Sequence, residues 1–224
     1  IAFEDFTGYT TGQNTLDGQG DGTNSVGWAG TWSAASAFGA GSSSPPSSGS
    51  SDSGSPHGYS HSSEGADGSA SRLFASAIRK PTAGAVTFAL SYHAGGGTRN
   101  GRNGPQVFLV DPDGNRLFGN LYDGGGGTDG DQFNYHLSDG VASNTTASAG
   151  VSFGEKRWGR LIVRGDWSTN GDLDLALWVD PDDTVDEADP DATLSLTGIT
   201  ADIAGFEMVR AKWEGPGDGL ELGY

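Results

Sequence analysis

A period of two limits this chain more than any other feature of its sequence. From Asp172 to Asp180, Leu173, Leu175, Leu177 and Val179 alternate with Asp172, Asp174, Ala176, Trp178 and Asp180. An apolar residue at every second position suits a β-strand that buries one face and leaves the other for something else. Val86, Phe88, Leu90 and Tyr92 alternate in the same way with Thr87, Ala89, Ser91 and His93. Further strand signals cover Ser71 to Ile78, Pro105 to Asp111, Asn115 to Tyr122, Gln132 to Leu137, Trp158 to Trp167, Phe206 to Trp213 and Gly219 to Tyr224, and Ile1 to Phe6 reads as an opening strand. Asp111-Pro112-Asp113-Gly114-Asn115 and Ser168-Thr169-Asn170-Gly171 are the turn chemistry expected between paired strands. Nothing repeats at 3.6 residues for long enough to make a helix, beyond one expected turn at Ala201 to Gly205. Regularly spaced short strands predict an all-β, two-sheet antiparallel β-sandwich.

Composition agrees. Gly holds 39 of 224 positions, which suits many tight turns, and aromatics at 10% can fill a core. With 12 basic and 29 acidic residues the formal charge is −17, a surface that repels phosphate backbones and excludes nucleic acid as a partner. The same surface suits divalent cations or a saline habitat. Cys is absent, so there is no disulfide, zinc-thiolate site or Cys nucleophile. No apolar run reaches the length of a membrane span. No leader sequence precedes the first strand signal, so the chain reads as a mature product or a trimmed piece. Residues 41–70 are rich in Ser, Gly and Pro. The 40 residues before them hold too little apolar material for a core of their own. The expectation is therefore a single β-sandwich domain over 1–224 with a surface loop at about 41–70, not a linker between two domains.

Two segments carry a resemblance. The first is Phe3-Glu4-Asp5-Phe6-Thr7-Gly8-Tyr9 with Gly12, Leu16, Gly18-Gln19-Gly20, Gly27-Trp28 and Trp32. The second is Leu161 to Asp166, then Leu175 to Pro181, then Pro190-Asp191-Ala192-Thr193-Leu194, read as a turn. Together they resemble a group of large secreted bacterial surface proteins with concanavalin A-like (laminin-G-like) jelly-roll domains. The resemblance implies that fold and an extracellular or cell-surface location. It says little of activity, because one fold hosts many functions.

Three kinds of chemistry are open. In many sandwiches of this kind a calcium ion ties the first strand to the last, and Glu4 and Asp5 lie at one end of this chain, Asp218 and Glu221 at the other. Hard oxygen ligands suit calcium; the alternative is that these are solvated edge carboxylates. Asp17 and Asp21 are the next candidates, whereas Asp111 to Asn115 lacks an EF-hand's final Glu and is a turn. A sugar platform is the second possibility. Trp178 would stack on a pyranose while Asp172 and Asp174 accept its hydroxyls, with Arg164, Arg160 and Asp166 on the neighbouring strand. The alternative is a Trp178 covered by a loop and charges that pair across strands. Trp28 and Trp32 read as structural. The third is catalysis by a Tyr/His pair such as His93 and Tyr135, as in a polysaccharide lyase. The spaced carboxylates of a glycosidase and the elbow of a serine hydrolase are missing.

The reading that results is a non-catalytic extracellular glycan-recognition or surface-display module, possible calcium stabilisation included. A structural subunit of an array or filament, pairing with copies of itself, is one alternative. A lyase or glycoside hydrolase of the same fold is the other.

Overall fold

The computed structural model describes residues 2, 9–10, 16–20, 26–35, 38–41, 57–60, 68–79, 84–94, 106–124, 132–140, 147–152, 158–179, 189–210 and 220–223. For 38–41, 57–60, 90–94, 121–124, 132–136, 147–152, 158–160, 179, 210 and 220–223 only the backbone is described. These residues form β1 (Trp28–Ala34), β2 (Phe38–Gly41), β3 (His57–Ser60), β4 (Gly68–Ile78), β5 (Gly84–Ala94), β6 (Gln106–Val110) and β7 (Arg116–Gly124). The second half of the chain adds β8 (Gln132–Ser138), β9 (Ala147–Ser152), β10 (Trp158–Trp167), β11 (Leu173–Val179), β12 (Ala192–Leu196), β13 (Ile203–Arg210) and β14 (Leu220–Gly223). No helix occurs among the described residues.

Two seven-stranded antiparallel sheets result, in the orders β1-β4-β13-β6-β7-β8-β9 and β12-β11-β10-β5-β14-β3-β2. The chain passes between them repeatedly, so neither sheet can be completed without the other. Their inner faces make one core. Val107, Leu109, Phe118, Leu137 and Met208 of the first sheet meet Leu161, Val163, Trp167, Leu173, Leu175, Leu177 and Leu196 of the second. Two edge-on aromatic pairs cross the gap, Phe118 with Trp167 at 5.9 Å and Phe88 with Phe206 at 6.4 Å between centroids. Burying each large apolar side chain contributes about 1.5–3 kcal/mol, and the alternation of the sequence sends the apolar row inward.

The two sheets handle their charges differently. On the outer face of the first, Phe108 is 1% exposed although its neighbours Val107 and Leu109 point into the core. The Arg116 guanidinium lies 4.7 Å over the Phe108 ring, and Glu207 holds it through Nε to Oε2 at 2.6 Å and Nη2 to Oε1 at 3.3 Å. Gly119 pairs with Phe108 across the strands, and a Cβ there would come 2.0 Å from the Val107 carbonyl and 2.8 Å from the Phe108 ring. Only Gly lets the ring lie this close to the backbone.

Inside the sandwich, next to Phe206, sits a charge. Arg72 is 4% exposed on β4, paired with Phe206 and beside the Trp28 ring at 5.4 Å. Its Nε and Nη2 donate to the Gly30 carbonyl at 3.1 and 2.9 Å, Nη2 donates also to the Gly20 carbonyl, and Nη1 donates to the Tyr9 hydroxyl at 3.1 Å. This one side chain ties the N-terminal segment to the sheet. The same segment covers the edge of β1. Gly18 N donates to the Trp32 carbonyl at 2.9 Å, Trp32 N to the Gln19 carbonyl at 2.7 Å, and Ala34 N to Asp17 Oδ1 at 2.9 Å. An edge strand so occupied offers no free ladder there.

Several expectations change. Ala201 to Gly205 is not a helical turn: β13 begins at Ile203, and a register shift between Ile203 and Gly205 against β4 lets the consecutive Ile203 and Ala204 both be buried, which breaks the period of two. The stretch at about 41–70 is not all loop, because β3 lies within it and pairs with β2 and β14, and β4 begins at Gly68. Thr193 and Leu194, read as part of a turn, belong to β12. Of the strand expected at Ile1 to Phe6 only Ala2 is described, and it lies in no strand; the other five residues lie outside the described ones.

If the Arg72 fork holds the N-terminal segment, Arg72→Met should leave the Gly20 and Gly30 carbonyls and the Tyr9 hydroxyl without its protons. A loss of about 3 kcal/mol in urea unfolding is expected. Leu73→Ser, one residue away and 50% exposed, should change stability by no more than about 0.5 kcal/mol.

Candidate functional site

The outer face of the second sheet is where the sequence placed its sugar platform, and the register there is regular. Asp166 of β10 lies opposite Asp174 of β11 and Ala85 of β5, and Asp174 lies opposite Ser195 of β12. The next row is Thr87, Arg164, Ala176 and Thr193, and the one after it is Ala89, Ile162 and Trp178. Period-two geometry puts all of these on one face, because Leu161, Val163, Leu173, Leu175 and Leu177 occupy the other. Four strands and three rows span about 14 Å in each direction at ordinary sheet spacings.

Most of this grid is open. Ala85, Thr87, Ala89, Asp174, Thr193 and Ser195 are exposed, and Ile162, Arg164, Asp166 and Ala176 are half-buried. Its polar groups are fixed in pairs. Arg164 Nε stands 2.8 Å from Asp166 Oδ2 and its Nη2 donates to Asp166 Oδ1 at 3.1 Å. The Ser195 hydroxyl donates to Asp174 Oδ1 at 2.6 Å. Like charges directly opposite each other repel. Arg164 and Ser195 each hold one carboxylate of the Asp166–Asp174 pair. The surface is a rigid lattice of donors and acceptors carried on strands.

The four residues predicted for the platform have different fates. Asp174 and Arg164 stand on the grid in adjacent rows, and Asp172 is half-buried at its rim, where its carbonyl accepts from Ser168 N at 2.9 Å. Trp178 is on the expected face but only 6% exposed. An indole on an outer sheet face reaches that value only when chain lies over it. The 189–191 segment runs alongside, with Asp191 N donating to the Leu177 carbonyl at 2.8 Å. The open stacking surface expected at Trp178 is therefore absent, and the covered alternative holds. The residues that sequence reasoning passed over are Thr87, Thr193 and Ser195. Thr193 and Ser195 alternate with Leu194 and Leu196, a signal hidden by reading 190–194 as a turn.

The remaining candidates are resolved by position. Trp32 is buried in the core and packs 6.1 Å from Trp28, as expected of structural residues. His93 lies on β5 of the second sheet and Tyr135 on β8 of the first, so the meeting across two neighbouring strands that the sequence left open does not arise. For the metal, Glu4, Asp5, Asp21 and Asp218 lie outside the described residues, as does the Glu221 side chain. β14, which carries Glu221, has β5 on one side and β3 on the other, so no seam is open for the first strand beside it. The Asp17 carboxylate accepts the Ala34 amide. Among the described residues no three His, Asp or Glu side chains come together as a cation site.

No family model matches the sequence, and no curated protein matches it. Solved structures do match its fold. The carbohydrate recognition domain of Emp46p in its potassium-bound form aligns over 99% of this chain and 93% of its own, at 11% identity and a TM-score of 0.50. The conserved carbohydrate esterase vb_24B_21 from Shiga toxin-encoding bacteriophage phi24B aligns over 84% of this chain and 88% of its own, at 10% identity and a TM-score of 0.50. At such identities the likeness is one of fold: this chain is an antiparallel β-sandwich of the kind those proteins share.

The turn at Asp111 stands as read from the sequence. Asp111 Oδ1 accepts from Asp113 N at 2.9 Å and Asn115 N at 2.8 Å, and Oδ2 accepts from Asn115 Nδ2 at 2.9 Å. The Asn115 side-chain amide above all, with the backbone amides beside it, holds the carboxyl below its ordinary value of 3.8. A depressed pKa contributes stability above the unfolded value that is lost as pH falls through the folded one. Wild type should therefore lose more stability than Asp111→Asn as pH is lowered from about 5 to below about 3, and the two should differ by a constant amount above about 5. Urea midpoints across that range check it.

Proposed function

We propose that this chain is a non-catalytic extracellular glycan-recognition or surface-display module, folded as one domain over 1–224, that binds sugar on the outer face of β5, β10, β11 and β12. The observation that carries the reading is the open grid itself. Thr87, Arg164, Asp166, Asp174, Thr193 and Ser195 present hydroxyls, carboxylates and a guanidinium on four adjacent strands, with side chains held in register by the core row beneath. Sugar hydroxyls both donate and accept, so a fixed mixture of acceptors and donors suits them. Rigid strands also limit the ordering cost of binding. The presence of a carbohydrate recognition domain and a carbohydrate esterase among proteins of this fold is consistent with that reading. Trp178 belongs to the wall beside the grid in this account, with Asp172 at the rim.

Affinity electrophoresis against mannan, mixed-linkage glucan and other neutral polysaccharides tests it. At least one should retard the wild type. Asp174→Ala should weaken that binding about tenfold, the loss of one hydrogen-bonded charged group. Because Asp174 is exposed, its melting behaviour should stay within about 0.5 kcal/mol of wild type. Wild type that no polysaccharide retards would end the glycan reading and move the self-assembling subunit to first place.

Calcium is a separate part of the proposal. An acid-rich chain without disulfides gains from a cation between its ends, and Glu4, Asp5, Asp218 and Glu221 are its candidate ligands. Calcium that binds only the native state raises stability by about 2.7 kcal/mol at a hundredfold excess over Kd. Chelation should lower the melting temperature, and Asp5→Ala or Asp218→Ala should remove the difference. Identical melts in excess calcium and after chelation, with metal removal verified by elemental analysis, would refute it.

A further inference from the structure

Arg164 is the one basic side chain in the described grid, and Asp166 occupies it. Asp166 pairs with this guanidinium and Asp174 stands in the adjacent row, on a chain whose formal charge is −17. A guanidinium with an open fork binds carboxylate or sulfate through two parallel hydrogen bonds. Here Nη2 already donates to Asp166 Oδ1 at 3.1 Å, and Nε lies 2.8 Å from Oδ2 as an ion pair without a hydrogen bond of its own. The Asp166 side chain is 48% exposed and that of Arg164 29%. The pair therefore sits at the surface, where a ligand would meet it.

We propose that Asp166 determines which glycans the grid accepts: by holding the Arg164 fork, it makes the face select neutral sugars and reject uronates and sulfated sugars. This rests on the glycan-binding reading above and adds the ligand class to it. An anionic glycan would have to compete with an intramolecular carboxylate for Arg164 while Asp174, in the next row, repels it. A neutral glycan displaces nothing, and its hydroxyls can donate to the outer lone pairs of Asp166 and Asp174. Discrimination of this kind depends on a repulsive element as much as on an attractive one.

The test is Asp166→Asn, which keeps the side chain's volume and removes its charge. Wild type should be retarded by a neutral polysaccharide from the panel above and not by polygalacturonate. Asp166→Asn should bind polygalacturonate at least tenfold more tightly than wild type does. That gain should fall away as salt rises from about 0.05 M to about 0.5 M, as screening requires. Adding Arg164→Gln should abolish it. Asp166→Ser supplies the same test should the Asn variant melt early. If wild type binds a neutral glycan but neither Asp166 variant gains polygalacturonate binding, the specificity role is wrong and the glycan reading survives. Equal wild-type binding of polygalacturonate and neutral glycan overturns it too. Wild type bound by no polysaccharide removes both.

Discussion

Everything on the outer grid depends on what is buried beneath it. Leu161 and Val163 of β10, and Leu173, Leu175 and Leu177 of β11, are at most 1% exposed and pack against the first sheet. A slip of one residue in either strand would carry this row into solvent and the polar row into the core, which makes the register costly to change. The positions of Arg164, Asp166 and Asp174 are therefore set by residues that never touch a ligand. Gly165 is part of the same arrangement. A Cβ there would lie 2.8 Å from Leu173 and 3.1 Å from Leu175, so its absence lets those leucines close against β10 behind the Arg164–Asp166 pair.

The two sheets answer the problem of an outer face in opposite ways. The first closes part of its face, laying Arg116 over Phe108 and fastening it with Glu207. The guanidinium there works as a cover, its stem and plane shielding an aromatic ring. The second leaves a polar lattice open and, among its described residues, covers Trp178. Arg72 shows a third use of the same side chain, buried inside the sandwich with backbone carbonyls and a phenol as acceptors. With no disulfide to fasten the N-terminal segment, a five-donor planar group that reaches Tyr9, Gly20 and Gly30 together is an effective tie.

Much of the architecture was legible as alternation. β5, β6, β7, β8, β10 and β11 fall where period two and turn chemistry put them, within a residue or two at their ends. β2, β3 and β9 were not seen because Gly, Ser and Ala dominate them and leave no apolar period to read. β12 was hidden by the Pro-Asp turn that precedes it, and the start of β13 by a bulge that buries two successive residues. The candidate face was legible in part. Asp174 and Arg164 could be assigned to it from one strand at a time, whereas Thr87, Thr193 and Ser195 joined them only once strand order and register were known.

The sequence by itself determined that the chain is a β-sandwich, which side of each strongly alternating strand faces inward, and where its best hairpins turn. Those properties are local: they depend on residues two apart or on four-residue turns, and hydrophobic burial enforces them wherever the strand is placed. Tertiary structure alone decided that β10 lies between β5 and β11, that Asp166 faces Asp174, and that Trp178 is covered. It also decided that Arg72 reaches carbonyls 52 and 42 residues away. Such contacts follow from the order in which strands enter two sheets, and period two is the same for every order.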